Sequence, residues 1–397
     1  MPFVNTLRGS TSVSFGKKRG GGAALLGNLL AWGAGERPGI FATGHLGDGF
    51  SITRSSPVHV GSLRTWLVPS AGYYSAMCTK SDGTLWTWGK NGGYDAGHLG
   101  LGDTVDRSSP VQVGALTTWL TPCMGYGHAM CTKTDGTLWI WGRNNYGELG
   151  LNDTVARSSP VQLGGLTTWS KPSTAGNYTY CLKNDNTLWA WGGASSGETA
   201  QNNTIARSSP VQIGGAEWSK IAGNRNGCIA VKTAGTLWIW GSYPDFGAPG
   251  TPQERSSPVQ LGTNSNWNTP AAGRYSGFCT TTGGQLWALG GRNTFGTLGI
   301  NTPLPTYLRS SAVQIGALTT WLNPAATFFQ GEDAACCTKT DGTLWAWGRN
   351  DQGQVGINRV TGYMGGFDNF SSPTQIGTKT NWVLPTGGKR SFMCTTT

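Results

Sequence analysis

Charge is scarce in this chain. Asp, Glu, Lys and Arg make up 12% of 397 residues, and histidine occurs only at His45, His59, His98 and His128. Acid–base catalysis draws on those residue types, so the stock for it is thin. No HExxH, nucleophile-elbow or phosphate-loop signature is read from the chain, and no enzymatic activity, metal or cofactor is expected. The nine cysteines contain no CxxC pair and no zinc spacing. No apolar run reaches the ~20 residues a membrane helix needs, which argues against membrane insertion. Lys17-Lys18-Arg19 followed by Ala23–Trp32 imitates a secretory signal. Leu29–Gly33 is already a copy of the repeat described next, so cleavage there would destroy a structural unit.

What fills the sequence is one motif. Thr134–Gly142 reads TDGTLWIWG, and its core recurs as Leu29–Gly33, Leu85–Gly89, Leu188–Gly192, Leu237–Gly241, Leu286–Gly290 and Leu344–Gly348. A fixed period dictates architecture. Residues 116–164 show one unit. Trp119 opens a strand a that ends near Gly125. Strand b ends at Cys131-Thr132-Lys133. Asp135-Gly136 predicts a two-residue type I′ hairpin. Strand c is Thr137–Trp141, a glycine-rich loop covers Arg143–Asn152, and strand d starts at Pro160, where proline costs no ladder bond. Four short strands per unit of about fifty residues predict a propeller blade. In Leu138–Trp141 both faces of the strand are apolar, as expected when neighbouring blades cover both.

The repeats absorb most of the conspicuous residues. All 19 tryptophans fall on repeat positions, 12 in the LWxWG strands and 7 opening strand a, which reads as core. Net charge is +10, of which Arg54, Arg107, Arg157, Arg207, Arg255 and Arg309 precede SSP or its equivalent, while Lys80, Lys133, Lys183, Lys232 and Lys339 end strand b. These charges are expected to form a solvated ring or to brace loops; for the arginines, gripping loop carbonyls is preferred to an anion-binding ring. Cys78, Cys131, Cys181, Cys279, Cys337 and Cys394 share one slot that Ala230 fills once, so the cysteines are expected to be buried free thiols, which favours assembly in a reducing compartment. His45 and His98 sit in equivalent Gly-His-Leu-Gly loops and are read as loop filler in preference to a metal pair.

The ends complement each other. The first LWxWG copy has no Trp–Cys half before it, and Trp382–Cys394 has no LWxWG after it. The expected fold is therefore all-β, a seven-bladed propeller of four-stranded blades closed by pairing of N- and C-terminal strands in one composite blade. Residues 1–22 are read as a flexible basic arm carrying Arg8, Lys17, Lys18 and Arg19, and residues 23–397 as the propeller.

GTLWAWGRNxxGxLGLxDT with RSSPVQ resembles the regulator of chromosome condensation (RCC1) repeat over about residues 28–397. The resemblance implies a seven-bladed propeller that recognises surfaces and shares no chemistry; the founding member is a GTPase exchange factor that binds chromatin, and relatives include a plant ultraviolet sensor and a bacterial β-lactamase-inhibiting protein. The family usually carries a histidine three residues before the small strand-b residue. Only His128 matches here, with Ser75, Ser276 and Ser391 in the slot elsewhere, and no exchange-factor wedge is seen. The near-identical repeats are similar to RCC1-like chains of bacteria and tailed phages.

Variation between repeats is concentrated in loops a–b and c–d, which emerge at one end of the ring. Residues 91–97 are one insertion. Tyr243 and Phe246 lie in another. Phe328 and Phe329 in loop a–b and Tyr363, Met364 and Phe367 in loop c–d fall on one blade. Large apolar side chains clustered on loops mark contact surfaces, and these seven are the expected partner-binding residues. The arm enters at the opposite end. The expected function is a non-enzymatic binding or structural protein, a phage virion component of the tail-fibre, adhesin or decoration type. Its arm docks to virion subunits, and its loop face meets a host receptor, a glycan or neighbouring subunits. It would be assembled in the host cytoplasm, with any oligomer formed through the particle. The alternative is a cytoplasmic regulator or inhibitor module that binds another protein. Nucleic acid is a minor option.

Overall fold

The computed structural model describes residues 27–35, 44–92, 97–174, 176–224, 227–243, 253–274, 276–290, 293, 295–301, 311–327, 334–359 and 369–397. They form twenty-eight strands in seven four-stranded antiparallel sheets. Blades 1 to 6 span residues 66–112, 119–162, 169–213, 218–260, 267–314 and 321–375. Blade 7 is composite. Its strands a and b are Trp382–Gly387 and Ser391–Thr396; its strands c and d are Leu29–Gly33 and Arg54–His59. Leu29 pairs with Thr395 and Gly33 with Ser391. The ring is closed as expected, and the described chain comes in beside Trp66, which donates to the Gly27 carbonyl at 3.2 Å.

Two local expectations are corrected. Gly136 has φ +81° while Asp135 does not enter the left-handed region. Lys133 N–H donates to the Thr137 carbonyl, and Gly136 N–H to the Lys133 carbonyl, both at 2.9 Å. The b–c connection is therefore a three-residue loop with glycine at the left-handed position, in place of the two-residue type I′ turn. Strand d starts at Arg157, so Pro160 sits inside it. Its register shifts between Arg157 and Val161. An edge strand that bulges has no ladder bond for the proline to lose.

The core lies between blades. Trp88, Trp141, Trp191, Trp240 and Trp347 are fully buried, and each Nε1–H donates to a c–d loop carbonyl of the preceding blade. The acceptors are His45, His98, Glu148, Glu198 and Thr297, at 2.7–3.1 Å. Trp32 does the same to Gln354 across the closure, at 2.9 Å. Blade 5 has Leu289 in that position and makes no such bond. At the other end, each strand-a Trp N–H reaches back to the preceding blade, as Trp169 does to the Gly136 carbonyl of the b–c turn at 3.0 Å. Six junctions are thus tied at both ends.

The recurrent lysines are not solvated. Lys80, Lys133, Lys183 and Lys339 are buried, each held between the strand-a and the first strand-c indole of its own blade. Lys133 Nζ lies 4.7 Å from the Trp119 ring centroid and 3.5 Å from that of Trp139. Burial lowers their pKa, against the nearby Asp82, Asp135, Asp185 and Asp341. In blade 4 the aspartate position is Ala234, and Lys232 pairs instead with Glu217 at 2.8 Å. All nine cysteines are free and all but Cys123 are buried; burial raises the thiol pKa, to about 11 for Cys123 and about 12 for Cys279.

Candidate binding face

Strand a is innermost in every blade, and the axis is lined by its small residues, among them Ala71, Thr174, Gly223, Ala272, Ala326 and Gly387. Small side chains let the strands approach closely and bond across junctions. Met124 N–H donates to Ser70 Oγ at 2.9 Å, Gly223 N–H to Ser173 Oγ at 3.0 Å, and Ala71 N–H to Thr386 Oγ1 at 3.3 Å. The remaining space is about 70 Å³, room for a few waters. That is well below the ~300 Å³ of an ordinary small-molecule pocket.

The a–b and c–d loops form one face. Near the axis, Tyr73 packs on Tyr74 and Tyr126, with ring centroids 4.4 and 4.7 Å away. Lys389 comes from the a–b loop of blade 7. Its Nζ donates to Tyr73 Oη at 2.9 Å and to Tyr74 Oη, and lies 4.1 Å from both ring centroids. His45 is buried beneath, 6.0 Å from the Tyr74 ring. Burial, and then the Lys389 charge, lowers its pKa to about 4, so it is neutral at physiological pH. His98 Nε2 bonds Ser75 Oγ at 2.8 Å, and His128 Nε2 bonds Thr179 Oγ1 at 2.9 Å. His45, His98 and His128 are packed loop and strand residues, and among the described residues no group of three or more metal-ligating side chains assembles.

A recess of about 690 Å³ opens between blades 2 and 3. Its walls include Tyr126, Arg143 and Tyr146 from blade 2 and Tyr178, Ser195 and Glu198 from blade 3. Arg143 lies over Tyr126 and Tyr146, 5.9 and 5.5 Å from their centroids, and 3.8 Å from Glu148. Glu198 accepts from Ser196 N–H at 2.7 Å; burial raises its pKa. One string escaped the sequence reading: Gly193–Gly197 matches GxSxG. It occupies a loop between two strands, where a nucleophile elbow joins a strand to a helix, and the hydroxyls bonded to His98 and His128 are those of Ser75 and Thr179. The match carries no catalytic geometry.

Among the SSP-preceding arginines, Arg107 and Arg157 grip loop carbonyls as expected. Arg107 donates to the Val105 carbonyl at 2.7 Å and pairs with Asp103 at 2.6 Å; Arg157 repeats this with Val155 and Asp153. Arg54 pairs with Asp48. Arg309 lies outside the described residues.

The expected contact residues Phe246, Phe328, Phe329, Tyr363, Met364 and Phe367 lie outside the described residues, as do Arg8, Lys17, Lys18 and Arg19 of the arm. Tyr243 ends strand c of blade 4, where its backbone pairs with Gln253; its side chain is not described. Sequence reading missed Tyr73, Tyr74, Tyr126, Tyr146, Glu198 and Lys389. The signal was available in the columns just after strands a and c, compared repeat by repeat.

Three segments, residues 82–132, 135–182 and 341–393, match the profile of the regulator of chromosome condensation (RCC1) repeat. Among curated proteins, human "E3 ubiquitin-protein ligase HERC2" is 32% identical over 126 residues, 30% of this chain and 2% of that protein. Human "Probable E3 ubiquitin-protein ligase HERC6" is 29% identical over 140 residues, 34% of this chain and 13% of that protein. The chain thus spans a small part of these relatives. Among solved structures, human WBSCR16 superposes with a TM-score of 0.74 at 17% identity, covering 93% of this chain and 98% of that one. Prp20p of Saccharomyces cerevisiae, a protein with binding properties toward Gsp1p and histones, gives 0.77 at 17% identity, covering 94% and 92%. The chain carries RCC1-type repeats in a seven-bladed propeller.

Proposed function

We propose that this chain is a non-catalytic protein-binding module that regulates or blocks its partner through the a–b/c–d loop face. The carrying observation is the asymmetry of the ring. One end consists of repeated tight turns tied to the next blade. The other bears the tyrosine–lysine cluster and the recess, and the sequence puts the insertions with Phe246, Phe328, Phe329, Tyr363, Met364 and Phe367 in the a–b and c–d connections. Prp20p, which shares the fold, is a binder of other proteins. Ligase activity belongs to whole proteins of which this chain matches a small part, and it is not carried over. The test replaces residues 328–331 and 361–368 by Gly-Ser linkers and measures cross-linking of the purified chain to proteins of its native cell. Expected is loss of the wild-type adducts with the fold retained; unchanged adducts would refute the assignment of the face.

The second reading, a virion component, rests on the position of Gly27 beside Trp66, at the end away from the loops. There the arm with Arg8, Lys17, Lys18 and Arg19 would dock to a particle, leaving the loops for a host surface. The similarities to known proteins lend this reading no support. Purified particles that lack the chain would dismiss it, and particles that lose it on deletion of residues 2–20 would favour it.

A further inference from the structure

Six blades share one packing unit that the seventh leaves unfilled. The second residue of strand c is Trp86, Trp139, Trp189, Trp238, Trp287 and Trp345 in blades 1 to 6. Each indole stands edge-on to the strand-a indole of its own blade, with ring centroids 5.9–6.3 Å apart and planes at 75–79°. In five of these blades Nε1–H donates to the threonine two residues earlier, as Trp139 does to Thr137 Oγ1 at 3.1 Å. Blade 7 has Leu30 at this position, and Thr396 where five blades have the lysine that covers the pair. Trp382 keeps its other indole neighbour, Trp32 at 6.0 Å, and the edge-on ring is missing. A pocket of about 440 Å³ opens there, between the outer strands of blades 6 and 7. Leu30 and Trp382, 3% and 5% exposed, line it, so it reaches the core of the junction. The surroundings of the missing ring are in place. In the junction of blades 1 and 2, Trp139 and Leu101 pack on the cluster that holds Val113 and Trp119. The residues matching Leu101, Val113 and Trp119 are Ile357, Ile376 and Trp382, and all three line the pocket. Asn28 stands two residues before Leu30, at the position of the threonine acceptors.

We propose that this pocket binds the indole ring of a small molecule, which stands edge-on to Trp382 as the chain's own indoles stand to the equivalent tryptophans. The volume lies in the ~300–1,000 Å³ range of small-molecule sites. A void with aliphatic and aromatic walls takes up an aromatic ring of matching size, and the edge-on arrangement is one that aromatic pairs prefer. The ring N–H is offered to Asn28, as the fixed indoles offer theirs to threonine. The pocket belongs to the flank of the ring, so the proposal does not rest on the reading of the loop face. A lone bicyclic ring in an open pocket binds weakly, with Kd on the order of 1 mM.

The test titrates the intact chain with 5-fluoroindole, followed by fluorine NMR, which the chain's own tryptophans do not obscure. Expected is saturable binding at one site, displaced by unlabelled indole. Leu30→Trp, which installs the residue of the other six blades, is expected to abolish binding and to raise the thermal midpoint. Photolabelling with 5-azidoindole needs no variant and decides the matter should Leu30→Trp not fold. The label is expected on peptides that carry Ile357, Ile376 or Trp382. No saturable binding to the wild type, binding that survives in folded Leu30→Trp, or label confined to other blades would each overturn the proposal. Binding of n-butylammonium in place of indole would overturn it too, by making the space a cation site left by the missing lysine. So would binding that appears only after deletion of residues 2–20, which would make the pocket the seat of the chain's own Phe3 or Phe15.

Discussion

At Lys133 a full positive charge sits where its exposure is 6%. Its desolvation is offset by two indole faces and by Asp135. The arrangement is cooperative within a blade, and the repeats show what happens when one part goes. Blade 5 has Thr281, Gly283 and Gln285 where blade 2 has Lys133, Asp135 and Thr137, and blade 7 has Thr396 together with Leu30 in place of the indole. Lys133→Met is expected to lower the unfolding free energy by ~1–2 kcal/mol, the range for a desolvated cation–π contact, read from the urea midpoint at constant slope. Thr281→Lys is expected to gain less, because the carboxylate and hydroxyl that complete the set are missing. The sequence showed a basic residue recurring once per repeat. It did not show that the tryptophans before and after it close over the ammonium, because the pairing depends on which faces of strands a and c meet.

At the scale of strands and loops, each c–d loop with a tryptophan in the following blade is clamped beneath it. Glycine is favoured where the loop backbone crosses the indole. Gly150 has φ +67°, and a Cβ there would stand 2.9 Å from Trp191 Nε1. The equivalent Ala200 holds φ +55° beside Trp240, at a steric cost of about 1–2 kcal/mol for a non-glycine residue. Ala200→Gly is therefore expected to raise the thermal midpoint and Gly150→Ala to lower it, both measured by calorimetry. Strand existence and order were legible because LWxWG, the DG turns and the SSP segments keep their spacing. The boundary of strand d was not, because the bulge that lets Pro160 sit inside it is a property of the paired edge and leaves no local mark. The arginine braces were legible as guanidinium forks on loop carbonyls, here those of Val105 and Val155; the part played by Asp103 and Asp153 was not read.

For the molecule as a whole, stability depends on the seventh sheet, whose two halves come from opposite ends of the sequence. Removing residues 389–397 leaves Leu29–Gly33 without its partner and two blade edges open. Exposed edges pair with other chains, so the truncated protein is expected to elute as aggregate on size exclusion, with loss of a single cooperative unfolding transition. Linking residue 397 to residue 27 and reopening the chain at the turn after Lys133 is expected to keep the fold, since the same seven sheets re-form. A monomeric, cooperatively unfolding truncation would contradict this account of closure.

The plugged axis also shapes how the protein can be used. With small residues of strand a meeting at the centre and about 70 Å³ left between them, the axis has no room for a strand to thread from the loop side to the turn side. The body acts as a solid disc with two independent faces. An occupant on one leaves the other fully accessible, so a single copy can bridge two unlike molecules without either obstructing the other.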